Sequence, residues 1–495
     1  MGIIRRQGIK TTLVSYIGVI VGTAAVLFVY PLNDAFYGYA QWLYTLSYLL
    51  IPLASGGVLS LVIKYFPSFN DSQSENFNGF ISLITIWLLG FYAIFLIFWF
   101  LFKPLFIQGL NALNLNGALI EQNEIVILLL VFLSIFVALF SNQSYNRLRV
   151  TVPTIITQLG FKIFLPLLIL ITLYYKLPQS YVAWGMIGFF FIANILLIIY
   201  LKFIGGLKFG KIKKPQDFVG YKEMAKFSFY GSMNQLSSSL AQKIDSIMIP
   251  LFLEMAKNGF YSKALFITNV IEMPTRSLTQ IASPIISKAW KENDIEELSK
   301  VYKKASANLF VIGAFFFLVI WYILDDIIAI SSNPAAFPSA RIIFLWVASS
   351  KLVDMLTSVN SQIIVYSEKY RYNLFFLLFL AGLNIYLNFI LIPVHGIVGA
   401  AMATAISLFI FNMMKLVFIL FQFGLHPFTS SNIKVFTIFI IVLALYFFIP
   451  FNFVPLINII VKCIFLAILY LPIAYFWNIS PDINELINNY LKKKK

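Results

Sequence analysis

Eight ionisable side chains stand inside long apolar runs of the sequence: Lys162, Lys243, Asp245, Lys263, Glu272, Arg276, Lys351 and Asp354. Facing hydrocarbon, such charges cost about 2.5–3.5 kcal/mol each on insertion scales, or about 20–28 kcal/mol together, more than a typical fold's net stability. They must face water or one another. Helical spacing supports a water-filled lumen: Thr268, Glu272, Thr275, Arg276, Thr279 and Ser283 recur at three- and four-residue steps, and Ser350, Asp354, Thr357 and Ser361 repeat the pattern. Asn234, Gln235, Ser238, Gln242, Lys243 and Asp245 spread polarity over a wider arc of another segment. Glu272 with Arg276, and Lys351 with Asp354, could instead be structural ion pairs tying helices together. Pairing cannot absorb everything, because five bases meet three acids, and the surplus is positive. An anionic ligand is the natural complement. Arg276 is the leading contact, since a guanidinium can grip an anionic group bidentately; Lys243, Lys263 and Lys351 join it, and Lys162 contributes from the other half of the chain. Lys415 and Lys462 are set apart from these eight because their long stems could let them snorkel to the membrane surface.

Catalytic chemistry has little to work with. One cysteine, Cys463, and two histidines, His395 and His426, cannot assemble a Cys/His zinc site. Gly205, Gly206, Lys208, Gly210 and Lys211 approach a phosphate-binding loop, but Ile212 stands where its Ser or Thr is required. No catalysis and no organic cofactor are expected.

The elements that position these charges follow from composition. Of 495 residues, 60% are hydrophobic and 11% charged, against roughly 45–50% and 25% in soluble domains. Apolar runs lie near 9–29, 39–63, 79–102, 124–144, 151–175, 181–203 and 225–250, then 259–288, 305–324, 341–365, 372–393, 396–421, 433–449 and 454–477. This predicts an all-α membrane protein of about fourteen transmembrane helices. The net charge of +16 invites a nucleic-acid reading. Most of the 36 Lys and Arg, however, fall in the N-terminus, the even-to-odd loops and the tail Lys492 to Lys495, whereas only Lys103, Lys176, Lys257 and Arg341 fall in the opposite loops. Topology and anionic lipid account for the excess, both termini are placed in the cytoplasm, and nucleic acid is not needed.

Spans pair at one spacing. Ser15 with Ser237, Tyr39 with Tyr261, Pro52 with Pro274 and Arg149 with Arg371 are each 222 apart and occupy matching places. Six spans separate the copies, so the repeats are parallel. The expected organisation is an N-terminal six-helix lobe over 1–204, a basic cytoplasmic linker over 205–224, a C-terminal six-helix lobe over 225–421, and two added helices with a basic tail over 422–495.

The stretch Lys243, Ile244, Asp245, Ser246, followed by Asn258, Gly259, Phe260, Tyr261, Ser262, Lys263, Ala264 and then by Ser283, Pro284, Ile285, Ile286, Ser287, resembles the span 7–8 signature of bacterial polysaccharide-transporter flippases. These O-antigen-type lipid-linked oligosaccharide flippases share a superfamily with multidrug extruders and lipid II flippases. The resemblance implies alternating access by two pseudo-symmetric lobes, moving undecaprenyl-diphosphate-linked oligosaccharide across a bacterial inner membrane. It also implies a monomer served by polysaccharide polymerase or assembly partners. Lipid II flippases of the superfamily hold sodium with an Asp, two side chains one turn apart and a Thr; the matching positions here are Asp245, Asn384, Asn388 and Thr404, which makes sodium, or a proton, the coupling ion implied. Asn384 and Asn388 could equally hydrogen-bond between helices. A lipid II flippase and a cation-coupled multidrug extruder of the same fold are the rival functions, the second calling for an acid-dominated cavity.

Overall fold

Backbone polar groups in hydrocarbon need partners within their own segment, and this chain supplies them with helices. The computed structural model describes residues 2–69, 79–213, 220–448, 451, 453–477, 479 and 484, with the side chains of 2–6, 8, 9, 276 and 277 outside the description. Among the described residues there is no strand. All fourteen apolar runs fall on a helix or a helix pair. Among the described residues nine helices are long and apolar enough to cross a membrane singly, and two bent pairs raise the number to eleven. Polarity or length withholds the other three runs: 225–250 and 259–288 carry the polar faces described above, and the helix in the thirteenth run, Ser430–Leu445, has 16 residues.

The chain forms two compact units, Met1–Gly259 and Phe260–Lys495. In the first lie α1 (Gly2–Ala24), α2 (Asp34–Ala54), α3 (Val58–Lys64), α4 (Phe66–Phe69), α5 (Phe80–Ala112), α6 (Ala118–Gln122), α7 (Glu124–Asn146), α8 (Thr151–Thr154), α9 (Gly160–Tyr174), α10 (Ser180–Phe203) and α11 (Tyr221–Phe252). The 222-residue spacing in the sequence would open a second lobe at α11; by packing, α11 lies with the first unit, against α2 and α3. Its hydroxyls explain why. The second span bends by 72° between α2 and α3, freeing carbonyls that need donors. Ser232 Oγ donates to Pro52 O and Ser228 Oγ to Gly56 O, each at 2.7 Å. At the bend Gly57 has φ 74° and lies so close to α11 that a Cβ there would sit 2.0 Å from Ser228 O. Part of the polarity of α11 thus caps a broken neighbour.

A second close approach fixes α12 (Met255–Thr268), whose first turn lies in this unit. Asn258 Nδ2, fully buried, donates to Gly38 O at 2.8 Å. Cβ atoms on Gly38 or Gly259 would meet backbone oxygens at 2.0 and 2.2 Å.

The second unit continues with α13 (Met273–Glu292), α14 (Ile295–Ala329), α15 (Ala340–Thr357), α16 (Asn360–Tyr366), α17 (Arg371–His395), α18 (Ile397–Phe423), α19 (Ser430–Leu445) and α20 (Pro455–Phe476). Its core gathers on α14, where Phe317 and Tyr322 pack with Phe344, Phe439 and Tyr470. A 3-10 turn, Asn269–Glu272, breaks the eighth span just before Pro274, as the second span breaks just after Pro52. The tenth span bends by 50° between α15 and α16; Ser358 at this break has φ 54°.

Candidate functional site

Within the first unit, α2 and α11 enclose a cavity of about 280 Å³ lined by Tyr48, Asn234, Gln235, Ser238, Ser239, Gln242 and Lys243. Five of the six polar side chains assigned to a cavity wall on sequence grounds line it; the sixth, Asp245, is 3% exposed and turned into the packed side of α11. Steps of one, three and four residues along a helix put Asn234, Gln235, Ser238 and Gln242 on adjoining ridges, and Gln242 Nε2 reaches Ser238 Oγ at 3.2 Å. Opposite them stands an aromatic wall. The Lys243 ammonium lies 4.3 Å from the centre of the Tyr48 ring and 5.2 Å from that of Tyr44, inside cation–π range. Tyr44 stacks in turn on Phe161, with ring centres 5.3 Å apart. Lys243 is the single charged residue among the described lining side chains.

Lys162 is half-buried on α9. A Cβ at Gly18 would lie 3.5 Å from its Cδ and Nζ, an ordinary contact, so the lysine stem packs along this part of α1.

The cationic residues of the second unit have protein partners. Lys263 is fully buried, donates to Ala336 O at 2.7 Å and lies 4.4 Å from the Phe337 ring centre, so its charge is enclosed in this conformation. Lys351 pairs with Glu272, Nζ to Oε2 2.5 Å; Asp354 is within electrostatic reach of both Lys415 and Lys351. Where the alternative of structural ion pairs joined Lys351 to its own-helix neighbour Asp354, the hydrogen-bonded partner of Lys351 is Glu272 of another span. Lys415 does not snorkel. It is 1% exposed and donates to Asn360 Oδ1 at 3.0 Å and Ser361 Oγ at 2.9 Å, with Phe411 beneath it at 3.8 Å. Lys462 does not snorkel either: it is buried and pairs at 2.5 Å with Asp326, a carboxylate the sequence reading left outside the membrane because α14 runs further than its apolar stretch. A sequence signal existed for Lys415: Asn412, Lys415 and Ser407 share one side of α18, and lipid tolerates no such face. Several hydroxyls of the expected lumen stripes, Thr268, Ser283 and Thr357 among them, donate to carbonyls of their own helices. Arg276 lies on α13, and its side chain is outside the described residues, as is the tail Lys492 to Lys495.

Asn384, Asn388 and Thr404 come together, all buried, between α17 and α18. Asn388 Nδ2 donates to Asn384 Oδ1 at 2.8 Å and Asn384 Nδ2 to Thr404 Oγ1 at 3.4 Å. The trio supplies two carboxamide oxygens and a hydroxyl, the hard donors a monovalent cation takes. Asp245 is in the first unit.

Residues 8–290, more than half of the chain, match the family described as polysaccharide biosynthesis protein. The chain belongs to this family. The matched segment runs from α1 to the end of α13 and so contains the whole Lys243 cavity, the Asn258–Gly38 contact and Glu272; Lys351 and Lys415 lie beyond it. A Haloferax volcanii relative named "Probable low-salt glycan biosynthesis flippase" is 24% identical over 198 residues, which are 40% of this chain and 41% of that protein. The chain therefore spans about two fifths of the length of this curated relative. Among solved structures, a lipid II flippase, MurJ, in an inward closed conformation is similar with a TM-score of 0.70 and 15% identity, over 95% of this chain and 98% of that one. An inward-facing multidrug resistance transporter of the MATE family and MOP superfamily follows at 0.59 and 12%, over 82% and 94%. The polysaccharide biosynthesis family member described here thus has the fold of these multi-pass membrane transporters, as the sequence-based fold class expected.

Proposed function

We propose that the protein is a flippase that carries a lipid-linked oligosaccharide, an O-antigen or other polysaccharide repeat unit on undecaprenyl diphosphate, across the bacterial inner membrane without altering it chemically. One observation carries the reading: a polar cavity between α2 and the polar helix α11, whose charged lining residue is Lys243. An ammonium, carboxamides and tyrosine rings suit an anionic, hydroxyl-rich headgroup, while the lipid tail remains in the bilayer. The family description and the glycan flippase name of the Haloferax volcanii relative support the glycan as cargo. A drug-cation extruder needs an acid in its cavity, and Lys243 weighs against it. A lipid II flippase shares the fold, and its cargo is likewise a diphosphate-linked glycan.

In this reading the headgroup site opens to one leaflet and then the other, Lys243, Lys162, Arg276 and Lys351 are the cations that attract the diphosphate, and the chain works as a monomer with both termini cytoplasmic, handing its cargo to a polymerase. A sodium ion or proton biases the access states; Asn384, Asn388 and Thr404 are the proposed oxygen donors for sodium. A ligand drives such a change only through a difference in affinity between states.

Reconstitution tests the reading. Proteoliposomes carrying a fluorescent short-chain lipid-diphosphate oligosaccharide should move it between leaflets at a rate lowered by Lys243→Gln, and chromatography should recover it unchanged. Absence of translocation by the parent, or cleavage or polymerisation of the glycan, overturns it. Faster transport of lipid II than of a lipid-linked repeat unit moves the assignment to lipid II.

A further inference from the structure

Lys243 and the carboxamides of α11 share a cavity with Tyr48, and this juxtaposition says more than that an anion binds. At about 280 Å³ the cavity lies at the small end of the roughly 300–1,000 Å³ typical of ligand sites. It is open on one side and accommodates one ring and its substituents, so the remainder of an oligosaccharide would lie outside it. One wall is the Tyr48 ring, apolar on its face; the other is a ridge of donors and acceptors from Asn234, Gln235 and Gln242. A pyranose has the same two-sided character, with axial C–H groups on its faces and hydroxyls around its edge. The Lys243 ammonium lies over the Tyr48 and Tyr44 rings, 4.3 and 5.2 Å from their centres, so a sugar packed against Tyr48 next to it meets a positive charge at its edge.

We propose that this cavity is a pyranose subsite, with Tyr48 as the stacking platform, Asn234, Gln235 and Gln242 as hydroxyl contacts, and Lys243 as the contact for an anionic group attached to that same ring. The proposal rests on the glycan-transport reading and deepens it: the subsite reads one charged sugar, not a diphosphate alone. The anionic group has two sources, a phosphate on the anomeric oxygen or a carboxylate on the ring itself.

The test uses the purified full chain in lipid nanodiscs with four probes: glucose 1-phosphate, methyl glucuronide, methyl glucoside and inorganic phosphate. Saturation-transfer NMR reports ring contact and titration reports affinity. At least one of the two charged sugars should bind about tenfold more tightly than methyl glucoside, the gain of one added charge-assisted contact, with saturation on its ring protons. A preference for glucose 1-phosphate assigns the anion to the sugar–phosphate linkage, and a preference for methyl glucuronide assigns it to an acidic ring. Tyr48→Leu should weaken both charged sugars about tenfold, while Tyr48→Phe, which keeps the aromatic face, retains binding. Lys243→Gln should erase the preference for charged over neutral sugar. Inorganic phosphate binding as tightly as glucose 1-phosphate, or Tyr48→Leu binding like the parent, overturns the subsite. The same variants in the flipping assay separate the two levels: a parent that flips glycan while Tyr48→Leu flips it equally well sinks the subsite and leaves transport intact, whereas a parent that flips nothing sinks the transport reading.

Discussion

The Lys415 ammonium donates to Ser361 Oγ at 2.9 Å, fastening α18 to the turn where α15 gives way to α16. A second bond to Asn360 Oδ1 and the nearby Asp354 charge complete its surroundings. The lysine therefore holds the bent tenth span in one geometry. Removing one partner of a buried charge set costs about 3–5 kcal/mol, because the group left behind stays desolvated. Lys415→Met should lower the melting temperature of the purified protein by several degrees. Adding Asp354→Asn should recover part of that loss. Equal melting of Lys415→Met and the parent would remove Lys415 from this role.

Lys351 and Glu272 join the 3-10 break of the eighth span to α15, and their exposures of 14% and 37% place them at a wet boundary. Water screens such a pair, so its coupling should be about 0.2–1 kcal/mol. The charge-exchanged protein, Glu272→Lys with Lys351→Glu, should be more stable than the sum of the two single changes allows. A double-mutant cycle of melting temperatures at low and high salt measures this, and strict additivity at low salt refutes the pairing.

The sequence made the helices legible because hydrocarbon leaves the chain few choices: every apolar run became a helix or a bent pair. Cavity residues on α11 were legible for the same reason, since Asn234, Gln235, Ser238, Gln242 and Lys243 have no other use for so many polar groups on one arc. Partners were not. Lys351 meets Glu272, 79 positions away, and Lys415 meets Ser361, 54 away; helical periodicity tells which residues share a face and nothing about which faces meet. Lys415 and Lys462 were misread because a stem long enough to snorkel is also long enough to reach a buried carboxylate or carbonyl. Tyr48 went unnoticed because an aromatic in an apolar run carries no signal until α11 is laid against it.

Gly38 and Gly259 should tolerate no side chain. A methyl group on Gly38 would stand 2.0 Å from Met255 O and 2.7 Å from Gly259 N, and one on Gly259 would stand 2.2 Å from Asp34 O. These atoms belong to backbone and cannot swing aside. Overpacking costs about 1–3 kcal/mol even where side chains can adjust, so Gly38→Ala and Gly259→Ala should each cut the yield of folded protein sharply. Gly188, with open space around it, is the control: Gly188→Ala should express and melt like the parent. Normal folding of Gly38→Ala would mean that the start of α12 does not dock on α2 in this way.

Sodium should raise the melting temperature of the purified protein relative to potassium at equal ionic strength. Asn384, Asn388 and Thr404 are buried together, and their hydrogen bonds run from one amide to the next and on to the hydroxyl. An ion that takes the three oxygens must exceed the stability of those bonds, and a selective one stabilises the folded state by about 2.7 kcal/mol at a hundred times its Kd. Thr404→Val keeps the shape and removes the hydroxyl, so its sodium increment should shrink while its melting temperature in potassium changes less. Asn384→Leu should abolish the increment. Identical melting of the parent in the two salts, together with transport that ignores an imposed sodium gradient, would leave the trio as an interhelical hydrogen-bond cluster and turn the search for the coupling ion to the proton.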